Sequence, residues 1–353
     1  MAENLGQVDS RSKKGVLLIN LGTPDSPKVK DVKKYLKEFL SDPFVIDIPA
    51  FFRFLLVNFI IAPFRSKKSA RLYQKIWMEN GKSPLLYHSE NLAKKLSIKL
   101  QESHTVKLSM RYGNPSIISA MKEFKEEGVT EVIAVPLFPQ YALATFESAS
   151  DKFMKDVKKS GYRGQAKIVS PFYDEPSYIE ANAEIASQMI EQVKPDHIVM
   201  TYHGLPVRHV KKTEILGEDE ESKCGVGNCC EKMVSRNASC YRAQCFETSR
   251  LIAKKLELST SDYSVTFQSR FGKDPWIEPF TDVSLEMLKK QGKKNVLVLS
   301  PSFISDCLET LEEVAIGLKS EFENEKGRSL NCAPCVNSSD KITKALADKV
   351  SRI

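Results

Sequence analysis

Three groups of side chains in this 353-residue chain have types and spacings suited to chemistry. The first is Tyr202-His203-Gly204-Leu205-Pro206, which ends the apolar run His197–Tyr202. Gly followed closely by Pro sets a tight turn, so His203 should stand at the carboxyl end of a strand. An imidazole titrates near neutral pH and can accept a proton or ligate a metal. A lone histidine is also common as a satisfied structural residue, and by itself His203 reads either way.

The second group lies in Ser300–Glu313, which reads SPSFISDCLETLEE. On an α-helix Asp306, Glu309 and Glu313 share one face through spacings of three, four and seven. Clustered carboxylates repel unless a cation or a proton relieves them. Such a row suits delivery of a hard or borderline divalent ion. The plain alternative is a solvated first turn, where acids are favoured by the helix dipole.

The third group is Cys224-x4-Cys229-Cys230-x9-Cys240-x4-Cys245, five of the eight cysteines. In a long chain without a secretory signal, metal binding explains this crowding better than disulfides. Four thiolates suit a [2Fe–2S] cluster or a four-cysteine zinc site, and free thiols are the remaining reading. The spacing matches neither a zinc ribbon nor the plant ferredoxin pattern. Two weaker features flank these groups. Gln268-Ser269-Arg270-Phe271-Gly272 with Trp276 offers an apolar wall and an arginine for an acid. Leu21-Gly22-Thr23-Pro24 is not GxGxxG and has no phosphate-loop lysine, which weighs against a nucleotide.

The elements that must position these groups follow from periodicity. Apolar runs at Val16–Asn20, Val106–Met110, Glu131–Phe138, Lys167–Ser170, His197–Tyr202, Ser264–Gln268 and Asn295–Ser300 read as buried parallel strands. Amphipathic patterns lie between them, at Ser89–Gln101, Ile117–Glu127, Tyr178–Gln192, Phe246–Leu256 and Asp282–Gln291. Alternation of this kind implies an α/β fold, whose ligands sit beyond the carboxyl ends of strands. An internal repeat points to two similar halves. Pro136, Phe138, Thr145 and Glu147 recur as Pro301, Phe303, Thr310 and Glu312, and Arg111-Tyr112-Gly113 resembles Arg270-Phe271-Gly272. We therefore expect two Rossmann-like domains, 14–172 and 173–330, facing each other across a cleft. A last helix within 331–353 should pack back on the first.

Composition narrows the partners. Hydrophobic residues are 42% and the net charge is +7, with no basic block long enough for a nucleic-acid arm. A mild positive balance fits an anionic small substrate or an anionic lipid surface. No secretory signal is visible, so a cytoplasmic location is expected. Ala50–Phe64 is the longest apolar stretch, holds Arg53 and Asn58, and is shorter than the roughly 20 residues a span needs. It should lie on a membrane, line an apolar pocket or form a buried helix.

The segments LINLGTPDSP, RYGNPSI, PLFPQYALATFES, YHGLP, FQSRFGKDPWIEP and SPSFISDCLETLEE, in this order, resemble the ferrochelatase family along nearly the whole chain. The resemblance implies a chelatase-like pair of Rossmann-type domains around a porphyrin cleft. It implies insertion of Fe2+ into protoporphyrin IX to give protohaem with release of two protons, the last step of haem biosynthesis. By the same resemblance His203 and Glu309 bind the iron, or His203 takes the pyrrole protons. Asp306 and Glu313 continue the acidic row. Tyr73, Arg111, Tyr112, Phe303 and Trp276 match pocket positions. Ala50–Phe64 with Arg65-Ser66-Lys67-Lys68 matches a pocket lip, at about 49–72, where basic groups meet propionates and reversible membrane contact is expected. Some members carry a [2Fe–2S] cluster, often with cysteines near the C-terminus, whereas here the crowding is internal. Cys245 looks like a position filled by Cys in cluster-free members, so Cys224, Cys229, Cys230 and Cys240 stand ahead of it, with Cys332 and Cys335 in reserve. The alternatives are coproporphyrin as substrate, or a non-catalytic iron- or haem-binding regulator.

Overall fold

The computed structural model describes residues 14–215, 224, 229–272 and 274–353. Lys273 and residues 225–228 of the Cys-rich segment lie outside these. Two four-stranded parallel sheets form the frame. The first holds β1 (Lys14–Gly22), β2 (His104–Tyr112), β3 (Glu131–Pro136) and β4 (Gln165–Ile168), in the order β2-β1-β3-β4. The second holds β5 (His197–His203), β6 (Tyr263–Gln268), β7 (Asn295–Leu299) and β8 (Ser329–Cys332), in the order β6-β5-β7-β8. Counted within each half, the two orders are the same.

The central strands are apolar on both faces because helices cover both. Val16, Leu17, Leu18 and Ile19 of β1 are wholly buried. Leu17 and Ile19 pack with Phe124 and Phe153 on one side, while Val16 and Leu18 pack with Leu92 and Leu96 on the other. Polar starts set the crossover helices. Ser83 accepts a hydrogen bond from Leu86 N at 3.2 Å and Pro84 opens the helix Pro84–Leu100, five residues earlier than the hydrophobic period suggests.

The structure departs from expectation in three places and excludes one of the expected alternatives in a fourth. β8 was not legible, since Ser-Leu-Asn-Cys has one fully apolar side chain. It pairs with β7 through Cys332, so the second sheet runs past the expected boundary at 330. The C-terminal helix Asp340–Ser351 does not rest on the first half alone. Its Ile342 and Leu346 join one core with Leu92 and Leu96 of the first half and Ile179 of the second. Third, the segment from Glu309 is a ten-residue π-helix, Glu309–Leu318, and not an α-helix. Finally, Ala50–Phe64 is no buried helix. It forms most of a helical run of three parts, Ala50–Leu55, a π-helical Leu56–Ile61 and Ala62–Ile76. Phe51, Phe52, Phe54, Phe59, Ile60 and Phe64 are all exposed on it.

Candidate active site

β5 delivers His203 to the carboxyl edge of the second sheet, where Tyr241 donates its hydroxyl to the His203 carbonyl at 2.9 Å. The next residue must be glycine. A Cβ on Gly204 would lie 2.7 Å from the Gln268 carbonyl and 3.2 Å from the Trp276 ring. Trp276 is in turn fixed by its indole N–H, which donates to the Phe271 carbonyl at 2.7 Å. The imidazole Nδ1 lies 2.6 Å from the Gly204 carbonyl oxygen. A carbonyl only accepts, so Nδ1 carries the proton and the Nε2 lone pair is left for a proton or a metal.

Across from His203 is the π-helix. Glu313 sits four residues after Glu309, close to one turn of this wider helix. Burial raises the pKa of the Glu313 carboxyl. A hydrogen bond from Ser269 and the nearby His203 oppose that rise, and the charge of Glu309 adds to it. Glu313 is therefore electrostatically close to both His203 and Glu309. The Ser269 hydroxyl donates to Glu313 Oε2 at 2.5 Å from a backbone with φ of 68°, a conformation uncommon outside glycine.

Glu309 reaches the first half. It lines a small pocket with Thr23, Tyr35, Tyr73, Ser83 and Cys307. Burial pushes the Tyr73 hydroxyl pKa well up, and the charge of Glu309 pushes it further. Tyr73 arrives on the inner face of the helix Ala62–Ile76, with Ala62, Ser66 and Ala70. Lys75 of that helix donates to Glu312 of the π-helix at 2.7 Å.

Not every expected residue joins this group. Asp306 precedes the π-helix and turns away from the row. Its Oδ1 accepts from Thr310 at 3.0 Å and its Oδ2 from Asn337 at 2.8 Å, so it anchors the helix start. Arg111 pairs with buried Asp42 and donates to Ser148 at 2.7 Å, while Tyr112 donates to the same Asp42 at 2.7 Å. Both serve an internal ion cluster of the first half. Phe303 is half-buried against Leu85, Met110 and Cys307. Arg270 already has its acid, Asp282, at 2.5 Å. Arg65 lies 4.5 Å over the Phe271 ring and pairs with no carboxylate among the described residues. Ser269 and Tyr241 were not singled out from sequence. Their only signal was position, one on the turn after a strand and one at the start of a helix.

The cysteines divide as chemistry would require. Cys224, Cys229, Cys230 and Cys240 line one cavity of about 220 Å³ with Val210, Glu214, Val234, Arg236 and Asn237. Cys245 does not line it; it is fully buried, and burial pushes its thiol pKa well up. Cys229 and Cys230 sulfurs are 3.8 Å apart, and Arg242 donates to Cys230 Sγ at 3.0 Å. Hydrogen bonding from Cys240 pulls the Cys230 thiol down, and the same contact pushes Cys240 up. Cys335 sits instead beside Asp306, and Cys332 ends β8. Among the described residues no three His, Cys, Asp or Glu side chains converge tightly enough to hold a metal ion as they stand.

Two matching parallel sheets, with His203 and the acidic π-helix beyond the carboxyl ends of strands of the second, define the class, a parallel-sheet α/β protein of two like halves. Its fold is similar to that of "SirB from Bacillus subtilis with Fe3+", at a TM-score of 0.54 and 8% identity over 96% of this chain and 95% of that one, a likeness of fold alone. A family model described as Ferrochelatase matches residues 13–353. The chain is 44% identical to a ferrochelatase of Coxiella burnetii (strain Dugway 5J108-111), over 96% of its own length and 94% of the relative's. It is 43% identical to one of Legionella pneumophila (strain Lens), over 96% and 99%. The chain belongs to the ferrochelatase family.

Proposed function

We propose that the chain inserts Fe2+ into protoporphyrin IX, giving protohaem and two protons, as the last step of haem synthesis. The observation that carries the reading is the 2.6 Å contact between His203 Nδ1 and the Gly204 carbonyl oxygen. With Nδ1–H donating to that carbonyl, Nε2 is the acceptor in this reading, and Glu313 is electrostatically close to both His203 and Glu309. A free porphyrin holds two N–H protons and a flat ring. Insertion requires that the ring bend, that both protons leave and that a desolvated ion enter. Nε2 takes the two pyrrole protons in turn, passing the first to solvent before accepting the second, and Glu309 and Glu313 exchange water for the incoming ion. The buried, electrostatically strained Glu313 favours a partner cation, which relieves the repulsion from Glu309. Trp276 and the apolar lip supply walls. Arg65, Lys67 and Lys68 meet the propionates.

Cys224, Cys229, Cys230 and Cys240 hold a [2Fe–2S] cluster in this reading. When bound, such a group is a rigid cross-link among four chain positions, and its loading adds to folding stability. The exposed phenylalanines of the lip give reversible contact with a membrane from the cytoplasmic side, suited to an apolar product. No described helix is long and apolar enough to cross one.

The test is a single assay of ferrous iron with protoporphyrin IX and with coproporphyrin III, following the Soret shift. His203→Ala should abolish insertion while porphyrin still binds. Wild-type turnover in that variant would sink the assignment, and preference for coproporphyrin would replace the substrate.

A further inference from the structure

Asp47 stands two residues before the lip begins. It belongs to the first half of the chain, yet its carboxylate is surrounded by basic groups of the second. Arg208 donates to Oδ1 through Nη2 at 2.5 Å and through Nε at 3.1 Å. Lys212 donates to Oδ2 at 2.6 Å. His209 Nε2 lies 3.3 Å from Oδ1, too poorly aligned for a full hydrogen bond. Arg208 also reaches Asp274 at 2.5 Å, on the loop that carries Trp276. All three basic residues lie on, or just beyond, the short helix Val207–Lys211, which follows His203 by four residues.

The other side of Asp47 is tied to the lip. Arg53, in the first helical turn of the lip, donates to the carbonyls of Ile46 and Ile48 at 3.1 and 2.7 Å. One guanidinium thus grips the backbone on both sides of Asp47. A continuous run of charged contacts leads from the lip helix through Asp47 to the turn behind the candidate base. Asp47 is mostly buried, at 15% side-chain exposure. Burial alone would favour its neutral form, but Lys212, His209 and Arg208 outweigh it, so the pair is a charged one in a partly dry place. Nothing in the insertion chemistry uses these groups. They lie behind the walls of the cleft.

We propose that Asp47 is a positioning residue, the clasp that fastens the lip to the second half and holds the cleft shut over porphyrin. The proposal rests on the porphyrin reading of the cleft. Opening the clasp frees the lip at its root, so porphyrin leaves faster. The chemistry at His203 and Glu309 is untouched once porphyrin is bound.

The experiment uses the full chain with protoporphyrin IX. Porphyrin fluorescence quenching gives binding and dissociation, and ferrous insertion gives kcat and KM. Asp47→Asn should raise Kd and KM about tenfold, the scale of one lost charge-assisted contact, with dissociation faster to match and the fall in kcat/KM carried by KM. Asp47→Glu should recover most of it, which a mere packing role would not allow. If Asp47→Asn does not fold, the double change Arg208→Gln with Lys212→Gln removes the same contacts from exposed side chains and should give the same KM shift. Unchanged dissociation and KM in either variant overturns the clasp. A loss confined to kcat overturns it as well. Failure of the cleft reading itself shows separately, as wild-type turnover in His203→Ala.

Discussion

At the scale of the residue, the site depends on a few atoms whose neighbours leave them one role. Gly204 is the clearest case, because the Gln268 carbonyl and the Trp276 ring leave no room for a methyl group. Gly204→Ala should cost about 1–3 kcal/mol as an overpacking change, read by thermal melting. It should also cut turnover more than stability, because the shift falls on the carbonyl that orders His203 Nδ1. Ser269→Ala removes the hydroxyl from Glu313 and should lower the rate of iron insertion, with Ser269→Thr recovering part of it. His203 and Glu309 were singled out from residue type and position after strands. Asp306 was misread because spacing alone puts it on the face of Glu309. What spacing omits is a loop 31 residues later, where Asn337 offers a better partner. Arg111 came only from the resemblance, and its ion pair with buried Asp42 left no signal in the sequence.

At the scale of the element, seven of the eight strands were legible because parallel strands with two covered faces are unbroken apolar runs. β8 was not, because Ser-Leu-Asn-Cys is four residues long with one fully apolar side chain. The π-helix carried no signal in composition. Its presence at Glu309 matters because π-helical turns are rare and recur at functional sites. The lip was legible as too short to span a membrane, but not as exposed. Phe59→Asp with Phe64→Asp should weaken sedimentation with anionic vesicles while insertion into detergent-dispersed porphyrin persists; equal sedimentation would remove the membrane role. For the cysteine cavity, purified protein should contain iron and sulfide and absorb in the visible range. Cys230→Ser should lose colour and melt at lower temperature, as metal loading is coupled to folding. A colourless wild-type protein without iron and sulfide would remove the cluster.

At the scale of the whole molecule, the halves are joined by the shared core under the last helix, by Lys75 with Glu312 and by Asp47 with its bases. The last has a pH signature. Burial raises the Asp47 carboxyl, but the bond from Lys212, the close His209 and the charge of Arg208 bring it down to about 2 from 3.8. A carboxyl depressed on folding stabilises above its unfolded value, and that stability is lost as pH falls through the folded one. The stability difference between wild type and Asp47→Asn, from urea unfolding, should thus shrink as pH falls from about 4 toward 2. Val210 and Glu214, adjoining the same short helix, line the cysteine cavity, so loss of its occupant should also weaken porphyrin binding. Titrating porphyrin into the Cys230→Ser protein checks this.

The two sheets share one order, and their repeated segments both lead into π-helical turns, at Leu143–Glu147 and Glu309–Leu318. Superposing Pro136 on Pro301 puts Ala144 where Glu309 is, and Ser148 where Glu313 is. The strand registers likewise put Asn20 where His203 is, since Leu17 pairs with Ala134 as Met200 pairs with Leu299. The frame is present twice and the reactive set once. A nearly square, flat guest therefore meets two walls of equal architecture and opposite character. In the proposed reading only the second half holds His203, Glu309 and Glu313, so the asymmetry of the reaction would lie in the protein and need not come from the ring.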